Sequence, residues 1–254
     1  AVRGGQEVKK YIGTRFINAG LELGGKDPAY VRADADINHA IENLADGALF
    51  NSGQSCCGIE RIYVDKKIYK EFIDGFKSIT ENYNLSDPSK SDTNLGPVVR
   101  QSAADFIRTQ MKEAESEGAK RLIEESKFTI SKENDCYVCP QVMVDVNHHM
   151  RFMMEETFGP AVGIMPVNDE EEAKNLMNDS PYGLTASVWT KDTEFAKDFG
   201  KSIETGTFFM NRCDYLDPAL AWTGVKDTGI GCSLSTLAFD QFTRPQSFHI
   251  RKVI

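Results

Sequence analysis

The chain has 254 residues, of which 41% are hydrophobic and 26% are charged, as is ordinary for a globular protein. Its formal net charge of −9 argues against nucleic acid and anionic membrane as partners, because both attract basic patches. No apolar run approaches the roughly 20 residues that span a bilayer. We therefore expect neither a nucleic-acid partner nor a membrane-embedded segment.

Predicted elements alternate along the chain. A helix with apolar residues at 37, 41, 44 and 48 follows Asp36, which could cap it. Further helices are expected near 68–79, 102–118, 170–177, 193–200 and 234–242, and strands at 61–64, 137–144, 161–167, 184–189 and 207–211. This alternation predicts an α/β fold with an open, mostly parallel sheet flanked by helices. The tail at 247–254 alternates imperfectly, so it is either a plain terminal strand or an edge that pairs with another chain.

The six cysteines do not form the framework of a small secreted protein, and residues 1–10 do not have the pattern of a signal peptide. We expect a reducing compartment, the cytoplasm or another such as the mitochondrial matrix. Cys136 and Cys139 have the spacing of half a zinc site, but no second Cys or His pair lies at a suitable distance from them in the sequence. Alternation along a strand would also send the two thiols to opposite faces. We therefore predict no metal site.

One cysteine has a setting that favours chemistry. Cys56 ends the sequence Phe-Asn-Ser-Gly-Gln-Ser-Cys, between a predicted helix and a predicted strand. A thiol on a glycine-bearing loop beside a helix end is exposed and close to backbone dipoles, as a nucleophilic thiolate requires. Taken alone, the commoner alternative is a small buried side chain.

Two further stretches carry carboxylates beside glycines. In Glu-Leu-Gly-Gly-Lys, Glu22 could serve as a general base next to Gly24, where a backbone or ligand can come close. In Glu-Glu-Thr-Phe-Gly-Pro, Glu156 and Phe158 precede a Gly-Pro turn. The alternatives are a solvated acidic residue in the first stretch, and a charged helix end with a core aromatic in the second.

Together these stretches resemble the aldehyde dehydrogenase superfamily. The stretch at 22–26 resembles its general-base motif, the stretch at 53–56 its nucleophile motif, and Glu156 with Phe158 its Glu-x-Phe-Gly-Pro motif. Further matches are Tyr182-Gly183-Leu184, Gly206, Asn211, Gly224, Lys226, Gly229 and Gly231. The resemblance covers almost the whole chain.

The resemblance implies NAD(P)-dependent oxidation of an aldehyde to a carboxylic acid. Cys56 would attack the aldehyde to give a thiohemiacetal and then a thioester, and Glu22 would activate the water that hydrolyses it. Glu156, Phe158 and Gly24 would contact the cofactor, NAD or NADP. A CoA-acylating enzyme is a close alternative, although Glu22 favours hydrolysis.

The resemblance also implies that Asp214, Leu216 and Trp222 line the substrate entrance, with ordinary core packing an equal alternative for Trp222. The closing loop departs from the family pattern at 221–226 and at Cys232, which leaves the aldehyde undefined.

Residues 1–23 match the end of the family's cofactor-binding domain, 24–233 its catalytic domain, and 234–254 a terminal helix and a possible oligomerisation strand. We expect this chain alone to bind NAD poorly, and the full-length protein to form a dimer or tetramer. A non-catalytic assembly module is the main alternative from another class. A cysteine hydrolase is ranked last, because none of the four histidines lies in a recognisable motif.

Overall fold

A seven-stranded sheet forms the centre of the structure, a computed structural model that describes residues 2–130 and 135–253. Its strands are β2 (Asp27–Val31), β3 (Ile59–Asp65), β4 (Lys120–Arg121), β5 (Gln141–Val144), β6 (Ala161–Val167), β8 (Thr185–Trp189) and β9 (Thr207–Met210). Their order is β4-β5-β6-β3-β2-β8-β9, and every neighbouring pair is parallel except β4 with β5. The predicted open, mostly parallel α/β sheet is confirmed.

Two short antiparallel pairs stand beside this sheet. Strand β1 (Leu21–Glu22) pairs with β11 (Gly229–Ile230), and β7 (Tyr182–Gly183) pairs with β10 (Val225–Lys226). These pairs attach the segment before β2 and the segment before β8 to residues 224–231, the glycine-rich loop.

Helices cover both faces of the sheet. The described helices are α1 (Val2–Ile12), α2 (Ile37–Leu49), α3 (Tyr69–Glu81), α4 (Gln101–Ser116), α5 (Arg151–Met154), α6 (Glu170–Asn178), α7 (Thr193–Lys201) and α8 (Phe239–Phe242), and of these α2 to α7 pack on the sheet. Apolar residues of α2 and α3 form the core on one face, while those of α4 to α7 form the core on the other. Alternation along β2 divides it between them, because Ala29 and Val31 face the first core and Tyr30 the second.

Strand β2 is buried along its whole length in the middle of the sheet, and the sequence analysis did not predict it. Pro28 removes a backbone donor, and a proline argues against a central strand. The structure accommodates it with a register shift between Asp27 and Pro28. The carboxylate of Asp27 accepts hydrogen bonds from the amide and the hydroxyl of Thr185 on the neighbouring strand.

Two predicted boundaries were wrong. The strand predicted at 137–144 begins only at Gln141, directly after Pro140. The helix predicted at 234–242 is a 3-10 turn (Thr236–Ala238) followed by the short α8, because Leu234 and Ser235 have positive φ angles that a helix does not accept. Cys136 and Cys139 nevertheless pack against opposite cores. Residues 243–252 are exposed and outside any helix or strand, so pairing of the tail with another chain stays a prediction.

Candidate active site

The three motif segments all lie immediately before parallel strands. Residues 22–26 precede β2, residues 53–56 precede β3, and residues 156–160 precede β6. These three strands are neighbours in the order β2-β3-β6. Because parallel strands all begin at the same edge of a sheet, the three segments meet at that edge.

Glycines of the first segment contact both of the other segments. A Cβ at Gly24 would lie 2.0 Å from Oε1 of Glu156, and a Cβ at Gly25 would lie 2.8 Å from the carbonyl oxygen of Cys56. The amide of Gly25 donates a hydrogen bond of 3.1 Å to Oε1 of Glu156. Gly25 is therefore required by close approach of backbone, whereas a side chain at Gly24 would displace the carboxylate of Glu156.

The Cys56 loop is held in an unusual backbone conformation. Asn51, Ser52 and Gly53 all have φ between 50° and 71°, in the left-handed region. A Cβ at Gly53 would lie 2.1 Å from the carbonyl oxygen of Gly159, so the loop rests directly on the Gly-Pro turn of the third segment. Glycine is the residue that accepts both this φ angle and this contact.

Side chains of the Cys56 loop also attach it to residues 96–99. Ser52 Oγ donates to the carbonyl oxygen of Gly96 at 2.9 Å and accepts from its amide at 3.0 Å. Oε1 of Gln54 accepts a 2.8 Å hydrogen bond from the amide of Val99. These bonds fix the backbone that carries the thiol.

The thiol of Cys56 is exposed, and the thiol of Cys57 beside it is buried. A hydrogen bond from Cys57 lowers the pKa of Cys56 to about 7, against burial and the nearby charges of Asp214 and Glu22. Sγ of Cys57 lies 2.7 Å from Oδ1 of Asp214 and 3.4 Å from Oγ of Ser55. Its own pKa is raised, first by the bond to Cys56 and then by burial. Cys56 is therefore the thiol best suited to form a thiolate near neutral pH.

Glu22 lies on the short strand β1, opposite Gly229. Its side chain is exposed and accepts a hydrogen bond from the hydroxyl of Ser233. Ser233 is itself held by two backbone hydrogen bonds with Trp222, at 2.6 and 2.7 Å. The predicted base is therefore accessible to water and oriented by the segment that follows the glycine-rich loop.

Glu156 and Phe158 border a cavity of about 590 Å³ that opens beside the Cys56 loop. The Phe158 side chain is 39% exposed and its φ angle is 51°. The pKa of Glu156 is raised, mainly by burial and also by the charge of Glu60. Residues of α4 and the segment before it also line this cavity: Val99, Arg100, Ser102, Ala103 and Phe106.

The three residues predicted at the substrate entrance have different surroundings. Asp214 contacts Cys57, whereas Leu216 is 53% exposed. Trp222 is 5% exposed and packs with Cys57 and Leu184, although one side of it lines a second cavity of about 150 Å³. Asp214 and Trp222 are therefore next to the thiol loop, and Leu216 is exposed.

In residues 2–130 and 135–253, no group of three His, Cys, Asp or Glu side chains is arranged to hold a metal ion. None of the helices described over the same ranges is long and apolar enough to cross a membrane.

Comparison with known proteins decides the family. The model of the aldehyde dehydrogenase family matches residues 2–248. This chain belongs to the aldehyde dehydrogenase family.

Similar proteins include enzymes from yeast and bacteria. Aldehyde dehydrogenase [NAD(P)+] 2 of Saccharomyces cerevisiae is 32% identical over 234 residues, 91% of this chain and 46% of that protein. The crystal structure of lactaldehyde dehydrogenase from Escherichia coli matches with a TM-score of 0.92 and 29% identity, covering 97% of this chain and 51% of that one. The NADP-dependent glyceraldehyde-3-phosphate dehydrogenase of Bacillus halodurans, complexed with NADP, matches with a TM-score of 0.89 and 32% identity, covering 96% and 50%. The chain thus spans about half the length of the relatives it matches.

The sequence analysis did not predict the buried charged residues next to the site. Lys26 and Glu60 form a buried ion pair of 2.5 Å, and Asp27 binds Thr185 across the sheet. The available signal was a charged residue at the start of β2 and of β3, two fully buried strands in which a charge is costly unless it is paired. His148 bonds the Tyr63 hydroxyl and the Asp179 carboxylate, both at 2.7 Å, and these contacts were not predicted either.

Proposed function

We propose that this chain carries the nucleophile and the general base of an NAD(P)-dependent aldehyde dehydrogenase that converts an aldehyde to its carboxylic acid. The observation that carries the proposal is the close approach of the three motif segments at Gly24, Gly25 and Gly53, beside the exposed thiol of Cys56. Membership of the family and the NAD(P)+ in the name of the yeast relative support the same reaction.

The residues at the cavity fit the nicotinamide end of NAD or NADP. The exposed ring of Phe158 offers a face for stacking, and the carboxylate of Glu156 can accept hydrogen bonds from ribose hydroxyls. A side chain at Gly24 would occupy the position of that carboxylate. When bound, the cofactor supplies the hydride acceptor that the oxidation of an aldehyde requires.

Cys56 begins the reaction as a thiolate, which attacks the aldehyde carbonyl and forms a C–S bond. The bond from Cys57 makes this thiolate accessible near neutral pH, since it lowers the pKa of Cys56 to about 7. The backbone amide of Cys56 also lowers the pKa of this thiol, and the same amide can donate to the oxygen of the thiohemiacetal. Loss of one such donor typically reduces the rate by about 100- to 1,000-fold.

Glu22 acts after oxidation has left a thioester on Cys56. Its carboxylate takes a proton from water, the resulting hydroxide attacks the thioester carbonyl, and the C–S bond breaks to release the acid and the thiolate. The exposure of Glu22 and its hydrogen bond from Ser233 support this role. A base that takes a proton from water must be accessible to water and held in a defined orientation.

The test uses the full-length polypeptide encoded by the gene of this chain. Formation of NADH or NADPH is measured over a panel of aldehydes, with and without coenzyme A. The proposal predicts turnover that is lost in Cys56→Ala and does not require coenzyme A. Turnover only with coenzyme A would favour the acylating alternative. No turnover on any aldehyde would leave the non-catalytic assembly module.

The contacts of two histidines weaken the cysteine hydrolase alternative, which requires a histidine beside the thiol. His39 bonds the carbonyl oxygen of Asn211, and His148 bonds Tyr63 and Asp179, so both are engaged outside the Cys56 loop.

We further propose that the 254-residue chain binds NAD(P) weakly on its own, since it spans only half the length of its relatives. Isothermal titration calorimetry tests this, and tight binding by the isolated chain would contradict it. The division into 1–23, 24–233 and 234–254, and assembly into a homo-oligomer through the exposed tail, belong to the same proposal.

A further inference from the structure

A buried ion pair lies beneath the turn that borders the larger cavity. Nζ of Lys26 is 2.5 Å from Oε2 of Glu60 and 2.8 Å from Oγ1 of Thr157. The exposed fractions of the Lys26 and Glu60 side chains are 0% and 5%. The ring of Phe152 lies 5.1 Å from the Lys26 ammonium and closes the site on another side. The proposed chemistry uses neither charge.

The carboxylate of Glu60 binds the backbone of that turn as well as the lysine. Oε2 accepts a hydrogen bond of 2.8 Å from the amide of Thr157, and Oε1 accepts one of 2.9 Å from the amide of Phe158. One carboxylate thus binds two consecutive amides and an ammonium group. Hydrogen bonds to an ionised acceptor are shorter and stronger than neutral ones, so this arrangement restrains the turn strongly.

The restraint acts where the backbone is strained. Phe158 has a φ of 51°, a left-handed conformation that is costly for an aromatic residue. Such a conformation persists only when its surroundings hold it, and here the bond from its amide to Glu60 contributes to holding it. Without that bond, Phe158 is free to relax toward a negative φ, which would redirect its ring.

The two residues on either side of Thr157 are Glu156 and Phe158, the residues proposed to contact the cofactor. We propose that Lys26 and Glu60 are positioning residues. They fix the position and backbone conformation of the 156–158 turn, so that Glu156 and Phe158 can contact the nicotinamide end of the cofactor. The inference rests on the proposed function. It assigns Lys26 and Glu60 no contact with substrate and no step in the chemistry.

A purely structural role is the alternative, and double substitution separates the two. Removing one partner of a buried ion pair leaves an unpaired charge, whereas replacing both by neutral residues of similar size is often harmless to stability. Lys26→Met alone is therefore expected to lower the thermal midpoint. Lys26→Met with Glu60→Gln is expected to recover most of it. The glutamine, however, offers one neutral oxygen to two amides, so the double variant still lacks the restraint on the turn.

The experiment has three readouts for Glu60→Gln and for the double variant. In the 254-residue chain, the amides of Thr157 and Phe158 are expected to exchange hydrogen about tenfold faster or more, the equivalent of one lost hydrogen bond. Alkylation of Cys56 by iodoacetamide, which needs no cofactor, is expected to stay within about twofold, since no bond to Cys56 changes. In the full-length polypeptide, the KM for NAD(P) is expected to rise about tenfold, with a smaller fall in kcat.

Asp74→Asn is the matched control, because it breaks an exposed ion pair with Lys70 within helix α3 and should change none of the readouts. A double variant that recovers its thermal midpoint, its amide exchange and its KM together would overturn the positioning role. So would a stable double variant in which Cys56 also loses reactivity, because the pair would then act on the whole site. Absence of turnover in the unmodified protein would refute the proposed function, while amide exchange in the chain would still decide whether Glu60 holds the turn.

Discussion

The thiol of Cys57 donates a hydrogen bond of 2.7 Å to the carboxylate of Asp214, a residue 157 positions further along the chain. The same thiol is the main cause of the low pKa of Cys56. Asp214 and the sulfur of Cys56 compete for the proton of the Cys57 thiol, because a thiol can donate only one hydrogen bond. The reactivity of Cys56 is therefore linked to a loop that the sequence assigned only to the substrate entrance.

Replacing Cys57 by alanine should make Cys56 less reactive at neutral pH. Without the donated bond, the pKa of Cys56 should rise from about 7 toward the ordinary value of about 8.5. The thiolate fraction at pH 7 then falls about tenfold. The pH dependence of iodoacetamide labelling measures this, with Cys213→Ala as a control that leaves the curve in place. An unchanged midpoint in Cys57→Ala would show that Cys57 does not activate its neighbour.

Replacing Asp214 by asparagine should have the opposite effect. The amide keeps a side-chain oxygen near Cys57 but removes the negative charge that raises the pKa of Cys56. The midpoint of the labelling curve should therefore move to lower pH. A shift to higher pH would mean that Asp214 supports the thiolate through the geometry of the loop rather than opposing it through its charge.

Gly53→Ala should destabilise the fold far more than an ordinary glycine substitution. The new Cβ would meet the carbonyl oxygen of Gly159 at 2.1 Å, and the φ of 71° adds strain, for a loss of about 3 kcal/mol or more. Gly118→Ala is the control, since its φ is also positive but nothing lies within 4 Å; it should cost about 1–2 kcal/mol. The free energies of unfolding in urea compare the two. Equal losses would mean that the loop does not rest on the Gly-Pro turn.

Gly24→Ala should weaken cofactor binding and leave the stability of the fold nearly unchanged. The new Cβ meets the end of the Glu156 side chain, which can swing away without moving the backbone. The expected result is a KM for NAD(P) about tenfold higher, equivalent to one lost charged hydrogen bond. The rate of Cys56 alkylation and the thermal midpoint should change little. Gly4→Ala, where nothing lies within 4 Å, should leave the KM unchanged. A normal KM in Gly24→Ala would remove Glu156 from the proposed cofactor contacts.

Much of the site could be predicted from the order of its motifs. Each motif ends just before a strand, and the strands are parallel, so the three segments have to share one edge of the sheet. Strand β2 was missed because Pro28 breaks the pattern of a central strand. A sequence pattern does not reveal that the neighbouring Asp27 bonds Thr185 and so joins this strand to β8.

Contacts made by side chains from distant segments could not be predicted. Glu60 and Thr157 are 97 residues apart, and nothing local indicates that a carboxylate at the start of β3 receives the amides of a turn before β6. The burial of Trp222 against Cys57 was equally beyond a pattern argument, because an aromatic residue suits both an entrance and a core. Such contacts depend on the register of neighbouring segments, which composition and periodicity leave open.

The measurement that tests the central claim most directly is the trapping of a thioester in Glu22→Gln. The full-length polypeptide carrying this substitution is mixed with NAD(P) and an accepted aldehyde, and its peptides are mapped by mass spectrometry. Because the neutral amide cannot take a proton from water, turnover should stop after a burst of one reduced cofactor per site, with hydrolysis slowed about 100-fold or more. The account predicts an acyl group on Cys56 and on no other cysteine. Undiminished turnover without an adduct, or an acyl group on Cys57 or Cys232, would contradict it.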